Sequence, residues 1–215
     1  MKYIATLFLS LISFVGSAQS PYQQVTLTRK DNIQTKVSAV TNDVADKALR
    51  IASLLLSSKA FQDSISRLIF PASNYCRGYS NDGNRKDSIT GRVILDMLYK
   101  KQRVSLNLIM EPVGKKPIYR KPPKENSCFG LGFTNPGSDI IHSYFENINC
   151  DMAAELPFAA AYGVHLSHEY LHDIGFCHNT NEVETDIAEA VGWIAYHFIK
   201  QWNGQHDPAY LDAIK

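Results

Sequence analysis

The stretch "HEYLHDIGFCH", from His168 to His178, places three histidines and a glutamate at fixed offsets, with a glycine between the second and third histidines. His168 and His172 are four residues apart. On an α-helix they fall one turn apart on the same face, where both rings can reach a single ion. Glu169 follows His168 directly and so points to the side of that pair, where it can hold a water without being a ligand. The third histidine needs a chain reversal. Gly175 supplies one, because glycine accepts the left-handed conformation that ends a helix. The chain can then swing His178 back toward the ion. Three imidazoles leave the fourth vertex of a tetrahedral site open, which is the pattern of a catalytic ion rather than a closed structural one.

Working outward, the chain opens "MKYIATLFLSLISFVGSAQS". A lysine, an apolar run over about residues 3–15, then Gly16-Ser17-Ala18 make the three-part layout of a secretory signal peptide cleaved after Ala18. The expected organisation is a signal peptide over 1–18, an N-terminal tail, edge strand or short pro-segment over 19–40, and one catalytic domain over 41–215. The apolar run is shorter than the roughly 20 residues of a membrane span, so no stable span is expected once the signal is removed. The 22 basic and 21 acidic side chains nearly cancel, so net charge gives no reason to expect a nucleic-acid partner. Cys76, Cys128, Cys150 and Cys177 permit two disulfides in an exported chain, in any of three pairings.

A helical apolar stripe runs through Val44, Ala48, Ile51, Leu55 and Leu56, with Asn42 or Asp43 as cap. A second stripe, Phe61, Ile65, Leu68 and Ile69, either continues that helix or follows a break near Ser57-Ser58. "SNDGNRKDS" (Ser80 to Ser88) reads as a solvated loop. Thr90 caps a short helix carrying Val93, Ile94, Met97 and Leu98. "RVSLNLIM" (Arg103 to Met110) alternates Val104, Leu106, Leu108 and Met110 on one face and predicts a strand. The basic, proline-rich "KKPIYRKPPK" reads as a loop. "CFGLGFT" (Cys128 to Thr134) and "IIHSYFENI" (Ile140 to Ile148) read as strands, the first at an edge. Pro157 then opens the helix that bears the histidine motif, and "DIAEAVGWIAYHFIKQW" (Asp186 to Trp202) is an amphipathic closing helix with Thr185 as cap. Helices, then strands, then two more helices fit an α+β fold better than a βαβ repeat.

The motif matches HExxHxxGxxH and so resembles the zinc signature of the metzincin metallopeptidases. That resemblance implies Zn2+ held by His168, His172 and His178, with Glu169 as the catalytic base. It also implies a twisted mixed sheet packed on helices, an active-site helix followed by a glycine turn and a C-terminal helix, and substrate laid along an edge strand such as "GLGFT". The implied activity is that of a secreted or periplasmic zinc endopeptidase acting on a protein or peptide substrate. An amidohydrolase for cell-wall or other non-protein amides, or a non-catalytic exported zinc-binding module, would carry the same ligands. The sequence departs from the family in one respect: Met1, Met97, Met110 and Met152 all precede the third histidine, so no methionine turn follows it. Val191 or Ile194 is then expected to floor the site.

Other residues compete for roles. Glu182, Glu184, Asp186 and Glu189 are alternatives to His178 as third ligand. His165 is expected beside the site rather than in it, and Asp173 near the helix end. Tyr196 and Tyr210 are candidate oxyanion donors. Cys177 is either a thiolate ligand or half of a disulfide that ties down the turn. Cys76 lacks the setting of an inhibitory zymogen cysteine.

Overall fold

Strand β1, Thr26–Arg29, lies within the polar stretch ahead of the first helix. Only two apolar residues, Val25 and Leu27, alternate into the core there, too few to register as a strand pattern. The computed structural model describes residues 22–76, 88–113, 130–152, 155–178 and 184–215. The signal-peptide stretch, "KKPIYRKPPK", Cys128, Glu182 and all of the Ser80 to Ser88 loop except its last residue lie outside them.

Strand β2 is Gln34–Thr35. Helix α1, Asn42–Ser57, is capped by Thr41, whose side chain accepts from the Val44 N–H; neither Asn42 nor Asp43 is the cap. The Asn42 side chain instead accepts from Ile33 N, tying the helix start to the preceding loop. The helical pattern breaks at Ser58, which caps α2, Lys59–Ser66, through Phe61 N. Strands β3, Ile69–Pro71, and β4, Ser88–Thr90, form a small antiparallel pair. Thr90 stands at the N-cap of α3, Gly91–Leu98, without a side-chain cap bond.

Strand β5, Arg103–Glu111, buries the alternating face Val104, Leu106, Leu108 and Met110. Strands β6, Gly132–Thr134, and β7, Ile140–Tyr144, follow. The sequence "IIHSYFENI" is strand only as far as Tyr144; Phe145–Met152 form α4. The main sheet runs β1-β5-β7-β6, with β2 also on β5. β5 is parallel to β1, β2 and β7, and β6 is antiparallel to β7. The result is an α+β fold with a mixed sheet packed against helices. At the β1 edge, Val25 and Leu27 donate their N–H groups to Ser57 Oγ at 3.0 Å and Ser53 Oγ at 2.8 Å on α1. These bonds occupy donors that an open edge would otherwise present to another chain.

Helix α5, Phe158–Asp173, follows Pro157 and packs against α1, α4 and the β6–β7 pair. Twelve of its residues are buried, on every side, as is usual for a helix at the centre of a core. Helix α6, Ile187–Gln205, closes over α5, and α7, Pro208–Ala213, packs on α1. The cap of α6 is Asp186, not Thr185: the Asp186 side chain accepts from Glu189 N. No described helix is long and apolar enough to cross a membrane.

Candidate metal centre

A helix buried on all sides should carry no unpartnered polar groups, yet α5 buries His165, Ser167, Glu169 and His172. Ser167 bonds back to the Gly163 carbonyl at 2.9 Å. His165 Nε2 meets Ser143 Oγ of β7 at 3.1 Å. β6 presses on this ring so closely that a Cβ on Gly132 would stand 2.1 Å from the His142 carbonyl oxygen and 2.7 Å from the imidazole. Only a glycine lets the edge strand cross there. Burial pushes His165 down to about 3, so it is neutral. Its Nδ1 stands 3.7 Å from Glu169 Oε1, a neighbour rather than an ion pair.

The end of α5 supplies the reversal that the glycine predicts. Gly175 has φ of +108°. Gly175 N bonds to His172 O and Phe176 N to Leu171 O, each at 3.0 Å, the paired bonds of a Schellman ending. Phe176 and Leu171 are both buried, as the apolar contact of that motif requires. The Phe176 carbonyl then accepts from His172 Nδ1 at 2.6 Å. Asp173 serves the helix end as expected: its carboxylate accepts from Asp139 N at 2.9 Å, and its carbonyl accepts from Gly137 N at 2.8 Å.

The reversal brings three Nε2 atoms together. His172 Nε2 is 3.2 Å from that of His168 and 3.1 Å from that of His178. The ligand atoms of all three lie within 4.8 Å of one another. Two nitrogens bonded to one ion at about 2.0–2.1 Å, at a tetrahedral angle, stand about 3.3 Å apart, so the spacing suits a shared ion. Proton placement agrees. His172 Nδ1 gives its proton to the Phe176 carbonyl, and His178 Nδ1 gives its own to Asp186 Oδ2 at 3.1 Å. The His168 ring bonds to the Ala188 backbone. Neutral rings with Nδ1 protonated turn bare lone pairs toward one another at Nε2. Such an arrangement repels itself unless a cation or a shared proton sits among the three, so these residues could hold a metal ion.

Electrostatics prepare two of the rings for metal. Burial lowers His168 well below its ordinary value and His172 to about 4, so neither holds a proton that a metal must displace. His178 is raised, chiefly by its hydrogen bond to Asp186. Glu169 is 3% exposed, and burial pushes its carboxyl up to about 8, against the opposing influence of Thr134 and His178. Its Oε2 completes no hydrogen bond, nor do the nearby Thr134 Oγ1 on β6 and Tyr162 Oη on α5. The unpartnered buried polar side-chain atoms of the described residues include these three; Thr134 lowers the Glu169 carboxyl, and the Glu169 charge raises the Tyr162 phenol.

The four motif residues are thus brought together. Asp186, weighed as a ligand, is instead the fully buried partner of His178 Nδ1, and Glu189 Oε1 stands 3.8 Å from the same atom. Val191 is a core residue. On α6, the Ala188 backbone bonds to the His168 ring, and a Cβ on Gly192 would stand 3.2 Å from His168 Nδ1, so backbone rather than an apolar side chain backs this histidine. Tyr210 is buried on α7, donating to Asn203 Oδ1 at 3.3 Å, and Tyr196 packs among Trp193, His197 and Lys200. The tyrosines that feel the Glu169 charge are Tyr144 and Tyr162. Ser143, Thr134, Tyr144 and Gly192 carried no local signal in the sequence. Cys177 is no thiolate ligand: it is disulfide-bonded to Cys76. Cys150 is also disulfide-bonded.

Comparison of the chain with protein-family models, curated proteins and solved structures found no match.

Proposed function

We propose that the protein is an exported zinc-dependent endopeptidase of metzincin-like design. The observation that carries this reading is the convergence of three imidazole Nε2 atoms beside a buried carboxylate with an unpartnered oxygen. His168, His172 and His178 would hold the zinc. Zinc so held supplies a Lewis acid that acidifies water and polarises a carbonyl. Glu169, through Oε2, takes the proton from the attacking water and delivers it to the leaving amine. A carboxyl pushed up to about 8 by burial is poor at ionising alone, and a neighbouring dication lowers it again, so base and metal are electrostatically matched. The β6–β7 edge beside α5 offers backbone for an extended peptide. Export is supported by the signal-like N-terminus and by the disulfide at Cys76 and Cys177.

Chelation is expected to abolish cleavage of casein, and added zinc to restore it. Cleavage of peptidoglycan fragments but not casein would favour the amidohydrolase reading. Bound zinc with no hydrolysis of either would leave a binding module.

Zinc uptake should also depend on pH in a defined way. Below the raised value of His178, and below about 8 for Glu169, the metal-free protein holds a proton on each. Binding displaces both, because both are unfavourable beside a dication, so affinity falls as pH falls. Near pH 6 the slope is expected to be about a hundredfold per pH unit, and about tenfold in Glu169→Gln, which lacks one of the protons. Chelator competition across pH 5–8 measures both slopes; equal slopes would refute the coupling of Glu169 to the metal.

A further inference from the structure

We propose that Asn74, a buried residue about a hundred positions upstream of the motif, is a positioning residue for the third metal ligand, an inference that rests on the metal reading above. His168 and His172 are fixed by the helix that carries them. His178 lies beyond that helix and is held by two other contacts. One is the backbone of its own turn; the other is Asp186, which accepts from its Nδ1 at 3.1 Å. Asn74 reaches both. Its carbonyl accepts from Cys177 N at 2.8 Å, and the adjoining Cys76 N bonds to Gly175 O at 2.9 Å. The Cys76–Cys177 disulfide and the stacked rings of Tyr75 and Phe176, 5.7 Å apart, fasten the same two segments.

The Asn74 side chain reaches the second contact. Its Nδ2 donates to the Thr185 carbonyl at 2.8 Å and to the Pro71 carbonyl at 3.1 Å, and its Oδ1 accepts from Ile187 N at 2.9 Å. Thr185 and Ile187 flank Asp186. One fully buried amide therefore sets the backbone on both sides of the carboxylate that orients His178. An amide is required for this, since the site demands a donor and an acceptor at once. A group bonded directly to a ligand, as Asp186 is to His178, typically changes metal affinity by roughly 10–100-fold when lost; Asn74 acts through that group, so its loss belongs at the lower end of the range.

The test uses the full mature chain and zinc itself. Zinc affinity is measured by chelator competition, well below the Tm of each variant, for wild type, Asn74→Ala and the near-isosteric Asn74→Asp. Leu27→Ala serves as a control: it destabilises the core beneath β1, at the opposite edge of the sheet from β6. Both Asn74 variants are expected to lose about tenfold in affinity, the lower end of the range for a direct partner of the ligand, and their cobalt(II) forms to show weakened visible bands in the direction of His178→Ala. Leu27→Ala, though less stable, should keep wild-type affinity and spectrum. Folded Asn74 variants within threefold of wild type, or an equal loss in Leu27→Ala, would overturn the proposal. So would failure of both Asn74 variants to fold, which would assign the residue to the fold as a whole. Wild type that binds no zinc would remove the metal reading and this inference with it; wild type that binds while the Asn74 variants are unchanged removes this inference alone.

Discussion

Replacement of Glu169 by glutamine is expected to leave zinc bound while turnover falls by roughly 10²–10⁴-fold, the usual contribution of a general base. The retained metal follows from geometry, since the converging ligand atoms belong to His168, His172 and His178 and not to the glutamate. The lost turnover follows from chemistry, since an amide cannot take a proton from water. A third outcome makes the prediction sharper. In the metal-free protein Glu169 is a buried carboxyl, kept protonated below about 8 and with Oε2 unpartnered, and such a group costs stability. The glutamine variant should therefore be as stable as wild type or more so in the metal-free state. Loss of activity with a Tm that does not fall separates a residue kept for chemistry from one kept for packing. Zinc content, kcat on a peptide substrate and a thermal melt measure the three parts. Activity within tenfold of wild type would remove Glu169 from the mechanism.

The second large effect is on the metal itself. His172 is the hub of the ligand set: its Nε2 is within 3.2 Å of both other Nε2 atoms, and its Nδ1 holds the Phe176 carbonyl in the turn that delivers His178. His172→Ala removes one donor and loosens the approach of another. Its loss of zinc affinity should exceed the roughly 10–100-fold that a supporting hydrogen bond contributes, and the purified protein should contain no stoichiometric zinc. His178→Ala removes one donor only and should fall less far. Metal analysis of the two variants beside wild type settles the order. Full zinc occupancy in His172→Ala would refute the three-histidine centre. Full occupancy in His178→Ala alone would point to a carboxylate such as Asp186 as the third donor.

The motif was legible because its geometry is local. Four-residue spacing on a helix aligns His168 with His172, and a glycine free to take positive φ forms the Schellman turn that returns the chain. The strand over Arg103–Glu111 and helix α6 were legible for the same reason: each declares itself through its own periodicity. Helix α5, buried on every side, was legible from Pro157 and the histidine spacing instead. Where an element is too short to show a period, as at β1 with Val25 and Leu27, the reading stayed open among tail, strand and pro-segment.

The errors fall where a long-range contact outweighs local preference. Thr185 and Asp186 are both acceptable caps for α6. Asp186 takes the role through Oδ1, and its Oδ2 accepts from His178, a residue that no helical pattern connects to it. "IIHSYFENI" is strand only through Tyr144, and α4 begins at Phe145.

By itself, then, the sequence determined the three imidazoles, the glutamate beside them and the bend between them, because helix pitch and glycine dihedrals act over a few residues. Only the tertiary structure decided the parallel register of β1 and β7 on β5, the pairing of Cys76 with Cys177, and the burial that shifts Glu169 and the histidines. It also decided that Asn74 would bond to both neighbours of Asp186 and to the turn before His178. Those are contacts between segments far apart in the chain, and their energies depend on which groups the fold removes from water together.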